Sequence, residues 1–148
     1  MTFLDTSFLY DAEIRLELDS TAEADPARDY VPAYYFNICL PDGTRIGRCD
    51  LRIGHNRNLY FGGNVGYTVF PDYRGHHVAE KACRLLFELA KKHDLGYLII
   101  TCRPDNLPSR RTCERLGGTM LEVAELPADN NMRVEDGYTH VCVFRFEL

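Results

Sequence analysis

The stretch Val65-Gly66-Tyr67-Thr68-Val69-Phe70-Pro71-Asp72-Tyr73-Arg74-Gly75-His76-His77-Val78-Ala79 decides the fold, because within it the hydrophobic period changes. Up to Phe70 the residues are β-branched, aromatic or small, as a strand requires. From Val78 onward, Val78, Ala82, Leu85 and Leu89 fall on one face at helical spacing, with Ala79, Cys83, Leu86 and Ala90 beside them. Glu80, Lys81, Arg84, Lys91 and Lys92 face away, and Glu80/Arg84 is a favourable i,i+4 pair. A long helix is therefore predicted from Val78, ended by Asp94 to Gly96. Tyr97 to Cys102 is a near-continuous apolar run, the mark of a strand covered on both faces. Asn106, Pro108 and Gly117 bracket a shorter helix, with Pro in its first turn and Gly past its end.

Upstream, Ile14, Leu16 and Leu18 alternate with charged residues and predict a half-buried strand. Asp19 to Ala33 is acidic, holds Pro26 and Pro32, and reads as a loop with room for one helical turn. Tyr34 to Leu40 and Arg45 to Ile53 read as strands joined by the turn Pro41-Asp42-Gly43-Thr44. Gly54 to Asn58 breaks the chain. Leu59 to Phe61 and Asn64 to Phe70 read as strand segments around Gly62-Gly63. Thr119 to Leu126 and Thr139 to Leu148 read as late strands joined by polar Pro127 to Gly137. The order gives an α/β or α+β fold in a single domain over residues 1–148, with the long helix after the fourth strand segment and the shorter one after the fifth.

Composition excludes several function classes. The 148 residues are 45% hydrophobic and 26% charged, a globular balance. The net charge of −5, with both signs interspersed, speaks against a nucleic-acid face, which needs a basic excess. No apolar run approaches the ~20 residues that span a bilayer. Met1 to Asp11 shows no signal-peptide pattern. Cys39, Cys49, Cys83, Cys102, Cys113 and Cys142 form no C-x-x-C pair, so free thiols in a reducing compartment, the cytoplasm, are expected. His76-His77 lacks a spaced carboxylate or Cys partner, so no metal is expected.

The junction from Phe70 to Ala79 has a chemical reading. The first turn of a helix carries unpaired N–H groups and a positive partial charge, which together hold phosphate. Gly75 allows close backbone approach, and Arg74 adds a cation. The plain alternative is a strand-to-helix turn with Arg74 solvated. If the strands on either side of the long helix run parallel as neighbours, both helix starts lie at their carboxyl ends, where open α/β sheets bind ligands. Asn106 and Ser109 read equally as helix capping.

These motifs resemble the GNAT superfamily of acyl-CoA N-acyltransferases. Its pattern R-x-x-G-x-G/A at the start of a long helix is similar to Arg74-Gly75-His76-His77-Val78-Ala79, and its N-x-x-S/A is similar to Asn106-Leu107-Pro108-Ser109. The lead-in Val65-Gly66-Tyr67 and Pro71-Asp72-Tyr73 resembles the branch that acetylates protein N-termini, ribosomal ones included. The motifs cover about a third of the chain. The resemblance implies a central mixed twisted sheet and transfer of an acetyl group from the cosubstrate acetyl-CoA to a primary amine, on a small molecule or peptide, by direct attack on the thioester. A non-catalytic acyl-CoA-binding or sensor domain is the alternative.

By the same resemblance, backbone from Arg74 through Gly75, His76, His77, Val78 and Ala79 would cradle the pyrophosphate. Thr68, Val69 and Phe70 would bind the pantetheine arm and polarise the thioester carbonyl. Asn106 would bind that arm with Ser109 near it, and Arg110 or Arg111 would reach the 3′-phosphate. Tyr67 and Cys113 are the candidate catalytic residues. Cys113 stands where many members place the Tyr that protonates the leaving thiolate. Tyr67, Asp50 and Glu13 are candidates to orient the amine or a water. His77 departs from the family's usual second glycine. Asp19 to Ala33 offers little amphipathic pattern where the family has two helices over the acceptor site. That side is therefore expected to be open, or completed by a second copy in a homodimer.

Overall fold

The computed structural model describes residues 1–148. Seven strands and four helices follow one another as β1 (Arg15–Ala22), β2 (Ala33–Cys39), β3 (Arg45–Arg52), α1 (Arg57–Gly62), β4 (Val65–Val69), α2 (Val78–Lys92), β5 (Tyr97–Cys102), α3 (Leu107–Arg115), β6 (Thr119–Glu125), α4 (Asn131–Asp136) and β7 (His140–Glu147). The strands form two antiparallel sheets, β1-β2-β3-β4 and β5-β7-β6. The predicted long helix, the buried strand after it and the shorter helix all stand where the periodicity places them.

Three segments differ from the sequence reading. Leu59 to Phe61 lies in α1 and is not a strand, because Asn56 caps the segment: its side chain accepts from the Leu59 N–H at 2.9 Å. Asp19 to Ala22 continues β1 beyond the expected loop start, while the expected helical turn forms as a 3-10 turn at Pro26–Arg28. The polar link after β6 contains α4, capped by Asn130 onto the Met132 N–H.

The apolar face of α2 carries Val78, Ala82, Leu86 and Leu89, all buried. It meets Phe36, Ile38, Ile46 and Leu51 of the first sheet and Leu98, Ile100, Phe144 and Phe146 of the second in one cluster of 24 residues. Each fully buried Leu, Ile or Phe contributes about 1.5–3 kcal/mol of transfer free energy. The chain before β1 is fastened to this core. The Leu4 N–H donates to the Tyr34 hydroxyl at 2.8 Å, and that hydroxyl lies 2.6 Å from His93 Nε2 at the end of α2.

The two sheets meet at the start of β4, where the Asn64 N–H donates to the Ile99 carbonyl at 2.7 Å. The Asn64 side chain is fully buried and fully used. Its Oδ1 accepts from the Ile99 N–H at 2.9 Å, and its Nδ2 donates to the carbonyls of Arg52 at 3.0 Å and Gly54 at 2.8 Å. Beyond this point β4 and β5 share no ladder. The sheet expected to run through them is thus hydrogen-bonded as two parts.

His77, just before α2, has φ 58 and ψ 28, the left-handed conformation that favours glycine. This explains how the chain turns here without the glycine usual in the GNAT pattern: His77 adopts the glycine conformation and bears its strain.

Two outcomes are expected. Asn64→Ala leaves three buried backbone groups unpaired and should destabilise the fold by about 3 kcal/mol or more, read by denaturant unfolding. Asn64→Asp should fare no better, because it sets an oxygen against two carbonyls. His77→Gly should stabilise by about 0.5–1 kcal/mol, since the left-handed penalty of ~1–2 kcal/mol exceeds the added unfolded-state entropy.

Candidate active site

The open edge of β4 is the base of the site. The Phe70 N–H bonds the Ile46 carbonyl and the Arg52 N–H bonds the Asn64 carbonyl. Antiparallel alternation then turns Gly66 and Thr68 toward β3, and the backbone groups of Tyr67 and Val69 toward the gap beside β5. The Val69 carbonyl is taken by Arg74, whose Nε donates to it at 3.0 Å.

After β4, a 3-10 turn at Pro71–Tyr73 leads into Arg74 and Gly75. Gly75 has φ 85, and a Cβ there would project into open space, so its need for glycine is conformational. From Gly75 to Glu80 no backbone N–H has a protein acceptor; the next donor, Lys81, bonds the His77 carbonyl. Six consecutive amides at a helix start are thus left for an anion.

α3 closes the other side. Asn106 caps it, its Oδ1 accepting from the Ser109 N–H at 3.3 Å. Ser109 Oγ accepts from the Tyr67 hydroxyl at 3.1 Å, a bridge from β4 to α3. The cavity between the β4 end and the two helix starts measures about 660 Å³. Tyr67, Thr68, Val69, Arg74, Gly75, His77, Val78, Ala79, Asn106 and Ser109 line it. Phe70 and His76 lie outside the lining, and Arg110 turns away to donate to the Pro104 carbonyl at 3.2 Å. Arg111 takes the place beside the cavity, with Arg115 one turn further along. The i,i+4 spacing of these two arginines was the signal that would have found Arg115. Tyr73, Pro108 and Thr112 also line the cavity, and the sequence reading missed them.

The electrostatics fit a polyanion. In a chain of net charge −5, this cavity is lined by Arg74, Arg111 and Arg115 and by no Asp or Glu. Arg115 is held from behind by Glu80, Nε to Oε1 3.1 Å.

Burial controls the other candidates. The Tyr67 hydroxyl is pushed well above its ordinary range by burial, so it stays protonated. Cys113 is wholly buried, does not line the cavity, and has its thiol pushed far up by burial. Burial likewise moves the neighbouring thiols of Cys83 and Cys102 up to about 12. None of the three presents a thiolate near neutral pH. Among the groups considered for the amine, Glu13 is exposed and ion-paired with Lys81, away from the cavity. Asp50 lies outside this cavity, in a second groove that shares Tyr67 and Thr68 with it.

Residues 8–119 match the family described as the acetyltransferase (GNAT) domain. Among curated proteins, the uncharacterized N-acetyltransferase YnaD of Bacillus subtilis (strain 168) is 32% identical over 62 residues, 39% of this chain and 36% of that protein. Among solved structures, the ribosomal-protein-S5-alanine acetyltransferase of Vibrio fischeri superposes with TM-score 0.61 at 19% identity, over 78% of this chain and 61% of that one. The microcin C7 self-immunity acetyltransferase MccE, in complex with acetyl-CoA and AMP, superposes with TM-score 0.60, also at 19% identity and over the same shares. The chain thus spans about a third of the curated relative and under two thirds of these solved ones. The order of elements, the splay between β4 and β5, the amide cradle at α2 and the match over 112 of 148 residues (119 − 8 + 1) agree, and the chain belongs to the GNAT acetyltransferase domain family.

Proposed function

We propose that this chain transfers an acetyl group from acetyl-CoA to a primary amine by direct attack on the thioester. The observation that carries the reading is the run of unpartnered amides from Gly75 to Glu80, of which Gly75, His77, Val78 and Ala79 share one cavity with Arg111 and Arg115. The residues present fit the donor. The α2 amides suit a pyrophosphate, the outward edge of β4 at Tyr67 and Val69 suits an amide-bearing arm, and Asn106 keeps its side-chain N–H groups free for the same arm. Arg111 replaces Arg110 as the residue to meet a further phosphate. The acetyl-CoA complex of MccE supports this choice of donor.

Acetyl-CoA supplies the activated acyl group. The chain's own work is to orient it, to polarise its carbonyl with donors on the β4 edge, and to hold a proton for the departing sulfur. We assign the last task to Tyr67. It is protonated through neutral pH, lines the cavity, and is oriented by Ser109. Cys113 is assigned to packing. The acceptor is an amine on a small molecule or peptide. The Vibrio fischeri relative, a ribosomal-protein acetyltransferase by name, supports including peptide N-termini. Six unbridged cysteines support a reducing compartment, the cytoplasm. No helix is long and apolar enough to cross a membrane.

Thiol release from acetyl-CoA should be stimulated by at least one amine in a panel of peptide N-termini, polyamines and amino acids. CoA should raise the melting temperature where ATP and NAD do not. Binding without turnover on the panel would turn the reading toward a non-catalytic CoA-binding domain. Tyr67→Phe should lower kcat roughly a hundredfold with CoA affinity nearly unchanged. Cys113→Ser should keep kcat within severalfold and lose about 1–2 kcal/mol of stability through its buried hydroxyl. The reverse pattern would exchange the two assignments.

A further inference from the structure

The sheet β1-β2-β3-β4 has one face in the core and one face without a covering helix. On the open face lies a groove of about 500 Å³ that reaches β4 at Thr68, on the other side of the strand from the donor cavity. One residue in it is out of place by ordinary rules. Asp50, in the middle of β3, has a side chain only 16% exposed. Its Oδ2 is buried and receives no hydrogen bond; Arg52 Nη2 approaches to 3.0 Å without aligning a donor. Its Oδ1 lies over Gly66, its partner across the β3–β4 rung, where an added Cβ would stand 2.5 Å away. The carboxylate thus occupies the space above β4 that a side chain at residue 66 would fill, one residue from Tyr67.

Asp50 is held above its ordinary value; burial is the larger cause, and Arg52 opposes it. The charged and titratable groups that share its surroundings are Asp19 of β1, Tyr35 of β2, Arg45, Arg48, Cys49 and Arg52 of its own strand, and Tyr67 of β4. Arg45 is engaged with Asn37 Oδ1 at 2.6 Å. A half-buried carboxylate with an unfilled acceptor oxygen is a standing cost to stability, and such costs gather at functional sites. Oδ2 is closed off and paired with Arg52, but Oδ1 is not among the buried unpaired atoms and no protein donor bonds it, so an ammonium group entering along the groove can supply one there.

We propose that Asp50 receives the acceptor amine from the open face of the sheet and takes its proton, as a catalytic residue of the transfer. This rests on the acetyl-transfer reading above. The ammonium gives one proton to the Asp50 carboxylate, which passes it to solvent. The freed lone pair forms the N–C bond to the acetyl carbonyl carbon, and the C–S bond breaks with its electron pair going to sulfur. After the attack nitrogen gives its second proton to solvent, sulfur takes a proton from the Tyr67 hydroxyl, and solvent reprotonates Tyr67, so that one proton is released in all. Donor and acceptor thereby reach β4 from opposite sides.

The test uses the full chain with saturating CoA and glycinamide as the amine probe. Carboxyl carbon NMR should show Asp50 titrating above the ordinary carboxylate range, with a midpoint that glycinamide moves down, because an ammonium neighbour favours the carboxylate. An unmoved midpoint overturns the proposal even if the protein shows no turnover. Where an amine is turned over, Asp50→Asn should lower kcat/KM by about a hundredfold or more at pH 7. The loss should shrink to about tenfold by pH ~10, where the amine arrives already neutral. Asp50→Glu should recover part of the rate. CoA affinity and melting temperature should not fall in Asp50→Asn. A loss equal at both pH values, or one accompanied by weakened CoA binding, would mean a structural role and sink the assignment. Failure of the wild type to bind CoA would sink the donor reading instead, and leave the glycinamide titration of the free protein to judge Asp50.

Discussion

The fold depends on one exchange of hydrogen bonds at Asn64. In a regular antiparallel rung the facing residues trade both backbone bonds. Here Arg52 donates to the Asn64 carbonyl, but the return bond to the Arg52 carbonyl comes from the Asn64 side chain. The Asn64 backbone N–H is thereby released to the second sheet, where Ile99 accepts it and returns a bond to Oδ1. One side chain thus imitates a strand edge on two sides. It fastens the sheets at the amino end of β4 and leaves the carboxyl ends of β4 and β5 free to part, because the next strand residues have no shared ladder to keep them together. The cavity, the outward backbone edge and the Tyr67–Ser109 bridge all lie in the space so opened.

Charge is distributed to match. The chain carries more acid than base, yet the cavity between β4 and the two helix starts has three arginines and no carboxylate in its lining. The helix-start amides and these cations act on the same volume, so the preference for a polyanion is built twice, once in backbone and once in side chains. Glu80 sits behind Arg115 and not inside the cavity, which holds the guanidinium in place at the expense of part of its charge.

Much of this was legible in the sequence, for identifiable reasons. The change of period at Val78, the apolar run from Tyr97 and the Asn106/Gly117 brackets are local signals, and the structure follows them. Asn56 carried an equally local signal as a helix cap, but Leu59-Tyr60-Phe61 is too short for periodicity to separate strand from helix. The choice between Arg110 and Arg111 needed the rotation of α3 about its axis, which packing sets. The burial of Cys113 needed the same information. Asn64 was the least legible. Nothing beside it in sequence distinguishes a buried amide satisfied by Arg52, Gly54 and Ile99 from an ordinary polar residue before a strand, because its partners lie up to 35 positions away. Asp50 showed its type but not its environment, since burial of one face of a strand depends on what the neighbouring strands present.

The fastening of the leading segment has a consequence of its own. The Leu4 N–H donates to one lone pair of the Tyr34 oxygen, and the hydroxyl's own hydrogen is free to go to a neutral His93 Nε2. Burial holds the His93 ring below its ordinary range, in agreement with a neutral imidazole. The folded value lies below the unfolded one, so the stability this ring contributes is whole above about pH 6.5 and drains away as acid carries the pH down through the folded value. A proton on His93 would turn the acceptor into a donor and reverse the bond to the Tyr34 oxygen. Acid therefore acts on the link between Tyr34 and the end of α2, while the buried Leu9 and the Leu4–Tyr34 bond still hold the leading segment to the core.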